Sequence, residues 1–287
     1  MRALTRKPIT TFLVLIAFIA ALPAVIANAA STDGEEIEPP DLPDWSFSGP
    51  FGRYDQAALR RGLQVYVEGC WDCHSLRHVA YRSLSALGIG YGPEDIKAFA
   101  ADFDVVDGPD ETGEMYERPA RPSDRFAAPY PNKEAARAEN KGMYPPDLSL
   151  ITKARKDGAN YLYSMLIGYT DPPAGVEPVP GMYYNKYVPG HFTGMNAPLL
   201  DNLVEYDDGT EATVEQMSQD VTEFLSWAAD PHMNERKSLG LRVVIFLVLL
   251  TIMFIALKKE VWSHLYTPPE GHPESGDASG KPAREAK

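Results

Sequence analysis

Between residues 55 and 73 the apolar positions Leu59, Leu63, Val65, Tyr66 and Val67 recur at an approximately helical spacing, which predicts a helix with one buried face. Residues 80–87 read as its continuation or as a second short helix. Residues 93–103 read as another, with Ile96, Phe99 and Phe103 spaced for burial. Helices are also expected over 133–140 and 161–169, the latter turning Leu162, Met165 and Leu166 inward. Thr213-Val214-Glu215-Gln216 fits a capping box, and Val221, Phe224, Leu225 and Ala228 follow with helical spacing up to Asp230-Pro231. That last helix is expected to pack beside the first. Polar and turn-rich passages lie between these elements. Residues 31–50, rich in Pro, Asp and Glu, predict an extended segment laid over a domain surface, with Trp45 and Phe47 free to dock. Residues 102–117 hold seven carboxylates around Gly108-Pro109 and read either as a solvated loop or as part of a docking surface for a basic protein. The Pro, Gly and Tyr residues of 171–198 predict irregular backbone, too rigid for a linker and too aromatic for disorder.

Two runs are apolar on every side. In the first, Arg2, Arg6 and Lys7 precede an apolar stretch over 12–26 and then Ala27-Asn28-Ala29. This is the order of a secretory signal cleaved after Ala29, with a retained anchor as the alternative. The second run, 239–257, is broken only by Arg242 and as a helix would cover about 28 Å, close to the hydrocarbon thickness of a bilayer. The organisation expected is therefore a signal over 1–29, an exported domain over 30–237, a transmembrane anchor over 238–258 and a short cytoplasmic tail over 259–287. Lys258 and Lys259 favour that orientation by the positive-inside rule, while Arg236, Lys237 and Arg242 on the other flank weaken the signal. Setting aside the basic signal, Arg242 and a neutral tail turns the net charge of −13 for the chain into −17 for residues 30–238. So acidic a segment makes nucleic acid and anionic lipid poor partners and a basic protein a good one.

The chemistry centres on Cys70-Trp71-Asp72-Cys73-His74. Two thiols about one helical turn apart can each bond a haem vinyl group while the adjacent imidazole reaches the iron, so CxxCH reads as attachment of one covalent haem c. A thioredoxin-like pair would need a βαβ setting, and a structural zinc site would need a second ligand pair in a chain with only two cysteines. His74 is the expected proximal ligand. For the distal position the residues leave a methionine or His191. Met195 stands out because it lies in the irregular loop 189–198, which precedes the last helix of the domain and can fold back over the haem. Met143 and Met182 are weaker candidates, and Met165 sits at core spacing. His78 lies one turn past His74, and topology excludes His264 and His272.

These residues stand among blocks that resemble the cytochrome c1 family, the membrane-anchored haem subunits of quinol:cytochrome c reductase, in a bacterial form. Examples are Arg60-Arg61-Gly62-Leu63-Gln64-Val65-Tyr66, Val79-Ala80-Tyr81-Arg82, Pro145-Pro146-Asp147-Leu148-Ser149 and Phe224-Leu225-Ser226-Trp227-Ala228-Ala229. The resemblance implies a mainly α fold, a class I cytochrome c-like core with long irregular insertions and one C-terminal transmembrane helix. By the same resemblance Met195, in its Gly-Met-x-x-Pro setting, is the distal ligand, and Arg155 and Tyr161 contact a haem propionate. It further implies electron transfer from a Rieske iron–sulfur protein to a cytochrome c, with cytochrome b as membrane partner, in a dimeric complex at the bacterial inner membrane and with no independent catalytic site. Some bacterial relatives carry an extra disulfide in the distal region, and this chain has no cysteine to form it. A stand-alone, membrane-tethered monohaem cytochrome that relays electrons to an oxidase is the alternative.

Overall fold

The last helix of the domain makes the clearest start. Val214–Ala229 places almost every side chain from Met217 to Ala228 out of solvent. It begins where the Thr213 hydroxyl accepts the Gln216 N–H at 3.1 Å, but the Gln216 side chain donates to Asp220 rather than back to the cap, so only half of the expected box forms. Against this helix lies the first, Gln56–Val65, as the periodicity predicts. Their crossing is close because of Gly62, where a Cβ would stand 2.0 Å from the Asp220 carbonyl oxygen. Beside it Arg61 grips Asp220 bidentately at 2.8 and 2.9 Å, with the Asp220 side chain 1% exposed, and reaches Asp208 at 2.8 Å. Such a pair is costly to break, since either partner alone would be a buried charge.

A computed structural model describes residues 40–88 and 90–263, and those from Asp41 onward fall in one compact unit. The expected signal over 1–29 and the tail beyond Ser263 lie outside the described residues. In chain order the helices are α1 (Gln56–Val65), α2 (Pro93–Ala101), α3 (Lys133–Glu139), α4 (Ile151–Ala154), α5 (Gly158–Ile167), α6 (Val214–Ala229) and α7 (Met233–Ser263). Two short antiparallel ladders, β1 (Asp104–Asp107) with β2 (Tyr116–Pro119) and β3 (Tyr183–Tyr184) with β4 (Phe192–Thr193), are the extended structure among these residues. The fold is mainly helical. Tyr66, Tyr81, Phe126, Phe224 and Trp227 form the aromatic centre of the core.

Several expectations change in detail. The first helix does not continue as an α-helix to residue 73. It widens after Val65 into a π-helical turn over Tyr66–Cys70, with the Trp71 N–H on the Tyr66 carbonyl at 2.9 Å. Residues 81–87 form a 3₁₀ helix, and the helix expected over 161–169 begins three residues earlier. The acidic passage 102–117 is largely a hairpin. Asp107 binds Arg118, which also binds Asp124 at 2.6 Å, and the Asp110 carboxylate accepts from Thr112 and Glu114 N–H groups. Periodicity is a poor guide where strands are four residues long and polar on both faces. The described part of the extended segment, from residue 40, does dock: Trp45 donates to Asn160 at 2.6 Å and packs edge-on to Tyr163, and Phe47 stacks on Trp45 and packs tilted against Tyr54.

The α7 helix is longer than the apolar run alone. Its 31 residues extend about 46 Å, enough to cross a membrane, and its apolar side chains from Leu239 to Leu257 stand exposed on all sides. Pro231 separates it from α6.

Candidate haem-binding site

The π-helical turn and the turn that follows place Cys70, Cys73 and His74 on one wall of a cavity of about 510 Å³, within the usual span for cofactor sites. The His74 N–H closes the turn onto the Cys70 carbonyl at 2.9 Å. Fully buried Tyr66 donates its hydroxyl to the His74 carbonyl at 2.9 Å, so the peptide that carries the imidazole is held from beneath.

The imidazole itself is oriented by Pro146. Nδ1 lies 2.8 Å from the Pro146 carbonyl, an atom that can only accept, so Nδ1 carries the hydrogen and Nε2 keeps its lone pair. Burial lowers the His74 pKa, partly offset by that carbonyl and by Asp147, which keeps the ring neutral near pH 7. A neutral imidazole with its far nitrogen fixed is the form a metal ligand takes.

Asp147 then sews the stretch after the motif to the segment that carries Pro146. Its Oδ2 accepts from the Ser75 hydroxyl at 2.7 Å and the Arg77 N–H at 2.9 Å, and its Oδ1 from the Ser149 N–H at 3.0 Å. Burial raises the Asp147 pKa, yet these donors outweigh it and the net shift is downward. The Leu148 N–H on the Ser75 carbonyl and the His78 N–H on the Ser149 hydroxyl complete the seam. Neither Pro146 nor Asp147 is predicted as a site residue. The available signal is local: an Asp two residues ahead of an N–H it can accept marks an Asx turn.

Cys70 and Cys73 are both free thiols. Burial, and then the charge of Cys73, pushes the Cys70 thiol up to about 12. The Tyr130 hydroxyl stands 4.0 Å from Cys73 Sγ.

Apolar side chains from three helices, among them Ile151, Leu162, Leu166, Val221 and Leu225, line much of the rest of the cavity. Arg155 and Tyr161 also line it, the guanidinium 5.9 Å above the phenol ring, so the two residues expected at a propionate are brought together. Of the distal candidates, Met143, Met165 and Met195 face the cavity, whereas Met182 and His191 are not among its lining residues. His191 instead stacks on Tyr184 at 5.6 Å, and its buried Nδ1 has no hydrogen-bond partner. Met195 is half-buried, its N–H held by the Thr193 hydroxyl at 3.3 Å, and Gly194 beside it permits the Met143 sulfur to lie where a Cβ would otherwise stand. The cavity thus combines apolar walls, two thiols, one pre-oriented imidazole, thioethers and a cationic side chain. That donor set fits a covalently held haem with a histidine and a methionine on its iron.

Comparison with known proteins agrees with this arrangement. Residues 45–265 match the Cytochrome C1 family. Cytochrome c1 of Rhodospirillum rubrum is 47% identical over 236 residues, covering 76% of this chain and 86% of that protein. The mitochondrial "Cytochrome c1, heme protein" of Saccharomyces cerevisiae is 50% identical over 224 residues, covering 78% of this chain and 72% of the yeast protein. A "Cytochrome b/c1" of Bradyrhizobium diazoefficiens is 45% identical over 258 residues, which is 83% of this chain but 37% of that longer protein. A match over most of the chain, with identities near one half, closes the question: the chain belongs to the cytochrome c1 family.

Proposed function

We propose that this chain is the haem c subunit of a quinol:cytochrome c reductase, taking one electron from a Rieske iron–sulfur protein and passing it to a basic cytochrome c, with cytochrome b as its membrane partner. The observation that carries the reading is His74, tied through Nδ1 to the Pro146 carbonyl on the wall of a cavity that Cys70 and Cys73 also line. Relatives whose names include "heme protein" and "b/c1" support the cofactor and the partner. A haem bound there supplies a one-electron couple, raised by a thioether in place of a second imidazole. In this reading Cys70 and Cys73 would form the thioethers, His74 and Met195 would ligate the iron, and Arg155 with Tyr161 would hold a propionate. The domain faces the periplasm and α7 anchors it, with Lys258 stacked on Trp262 as a cytoplasmic-side interfacial pair 5.6 Å apart.

The test is isolation from the native membrane. Expected are two b haems and an iron–sulfur electron-spin signal in stoichiometric company with the c haem, and quinol-driven reduction of that c haem. A c haem that purifies without them, yet still reduces an oxidase, would establish the stand-alone alternative.

The acceptor surface yields a second expectation. With Asp107 and Asp110 engaged inside the hairpin and Asp208 held by Arg61 and Thr210, the hairpin carboxylates left for steering are Asp104, Glu111, Glu114 and Glu117, all exposed, with Asp102 and Asp207 exposed outside it. Val106 and Met115 stand exposed among them, and Phe103 at the hairpin's base packs on Trp71 of the CxxCH motif at 5.0 Å. Changing these four carboxylates to amides should slow low-salt electron transfer to a basic cytochrome c by about tenfold and flatten its ionic-strength dependence. Stopped-flow curves that stay parallel to wild type would return the hairpin to a merely solvated role.

A further inference from the structure

Where α7 leaves the acidic domain, Arg236, Lys237 and Arg242 lie along its first turns, with Arg236 paired to Asp230 at 2.6 Å, and Arg53 closes the loop that Lys237 holds. Lys237 does more than carry charge. Its ammonium donates to the carbonyls of Phe47 at 2.6 Å, Gly49 at 2.7 Å and Gly52 at 3.2 Å, three points on one tight loop. The loop is closed by the Arg53 N–H on the Ser46 carbonyl at 2.9 Å, and at Gly52 it is so tight that a Cβ would stand 2.0 Å from the Ser48 oxygen. With carbonyls turned inward on the ammonium, Phe51 is left 74% exposed, the most exposed large apolar side chain among the described residues. A single exposed phenylalanine is ordinary on a protein surface, so its position has to decide the matter.

Position is fixed by the helix. Lys237 precedes the apolar run at Leu239 by two residues, about 3 Å along the axis. Arg242, inside that run, reaches back one turn to the Ser238 hydroxyl at 3.0 Å, the direction a guanidinium takes to regain the headgroup level. The lipid boundary therefore falls near residue 238, and the interfacial layer beyond the hydrocarbon is only about 5–8 Å deep. A loop hydrogen-bonded to Lys237 lies at that layer. We propose that the loop over residues 46–53 is a second membrane contact, with Phe51 inserted among the lipid headgroups beside the first turn of α7 and Arg53 paired to their phosphates. The proposal rests on α7 spanning a bilayer. It gives the domain two points on the membrane surface, so the domain cannot swivel freely about the anchor.

The test uses the full holoprotein in phosphatidylcholine–phosphatidylglycerol vesicles, with Phe51→Cys spin-labelled once Cys70 and Cys73 are consumed as thioethers. Collision rates with oxygen and with a water-soluble nickel chelate are compared with labels at Leu249→Cys in the span and Asp104→Cys on the hairpin. The label at 51 should favour oxygen several-fold over the Asp104 label while remaining shallower than the Leu249 label. Adding Lys237→Met should free it toward the Asp104 values. A label at 51 that matches Asp104 overturns the proposal, as does one reached by neither reagent, which would mean that protein covers the loop. If the Leu249 label also reads as water-exposed, the spanning role of α7 is what fails.

Discussion

Replacing Met195 by His should leave the haem attached but lower its reduction potential by about 100 mV or more, because imidazole stabilises ferric iron where the neutral, softer thioether favours ferrous. At 59 mV per tenfold for one electron, that is about a fiftyfold shift in the equilibrium with the iron–sulfur donor. Electron arrival should stall accordingly. The control is Met143→Leu, since Met143 places a second thioether on the cavity wall against Gly194. Redox titration of both variants decides between them. An unchanged potential in the first with a fall in the second would move the distal role to Met143.

Asp147 should matter nearly as much, and through stability rather than ligation. Asp147→Ala removes the acceptor for the Ser75 hydroxyl and for the Arg77 and Ser149 N–H groups, and with it the seam that keeps the Pro146 carbonyl on His74. Charge-assisted bonds contribute about 1.5–3 kcal/mol each but do not add, and water can enter a partly open site, so a total near 3 kcal/mol is expected. For a domain of this size that is a fall of about 6–12 °C in the melting temperature. The pH dependence is a sharper sign of the same role. The folded carboxyl has a lowered pKa, so its contribution is full above the unfolded value of about 4 and is lost as pH falls through the folded value. The stability gap between wild type and Asp147→Asn should therefore be open at neutral pH and close in acid. A gap that does not narrow at all between neutral pH and acid would assign the loss to packing.

The parts of this molecule legible in sequence are those where one residue type suffices. CxxCH names its chemistry, and the apolar spacing around Leu59 and Leu63 and around Val221 and Phe224 yields the α1 and α6 pairing. Thr213 is read correctly as a cap, whereas the Gln216 side chain goes to Asp220 one turn on instead of back to the cap. The hairpin is hidden by its own composition: Asp107 and Arg118 look like solvated charges until the register brings them together across β1 and β2. Pro146 escapes for a different reason. Its role lies in a main-chain carbonyl, which every residue has, and only the tertiary path of the chain decides which one meets His74.

The crossing of α1 and α6 at Gly62 has a consequence for how the domain assembles. The contacting residues Arg61 and Asp220 stand 159 positions apart, so the pairing closes a loop that takes in most of the domain, at a chain-entropy cost of about 4–5 kcal/mol. High contact order of this kind slows folding, since that cost is met before any of the contacts form. As the chain is made, Cys70, Cys73 and His74 emerge well before Val221 and Leu225, which finish the cavity wall. The thiols are therefore made before the wall that completes their cavity, and the order of the chain itself opens a window for attaching a cofactor there.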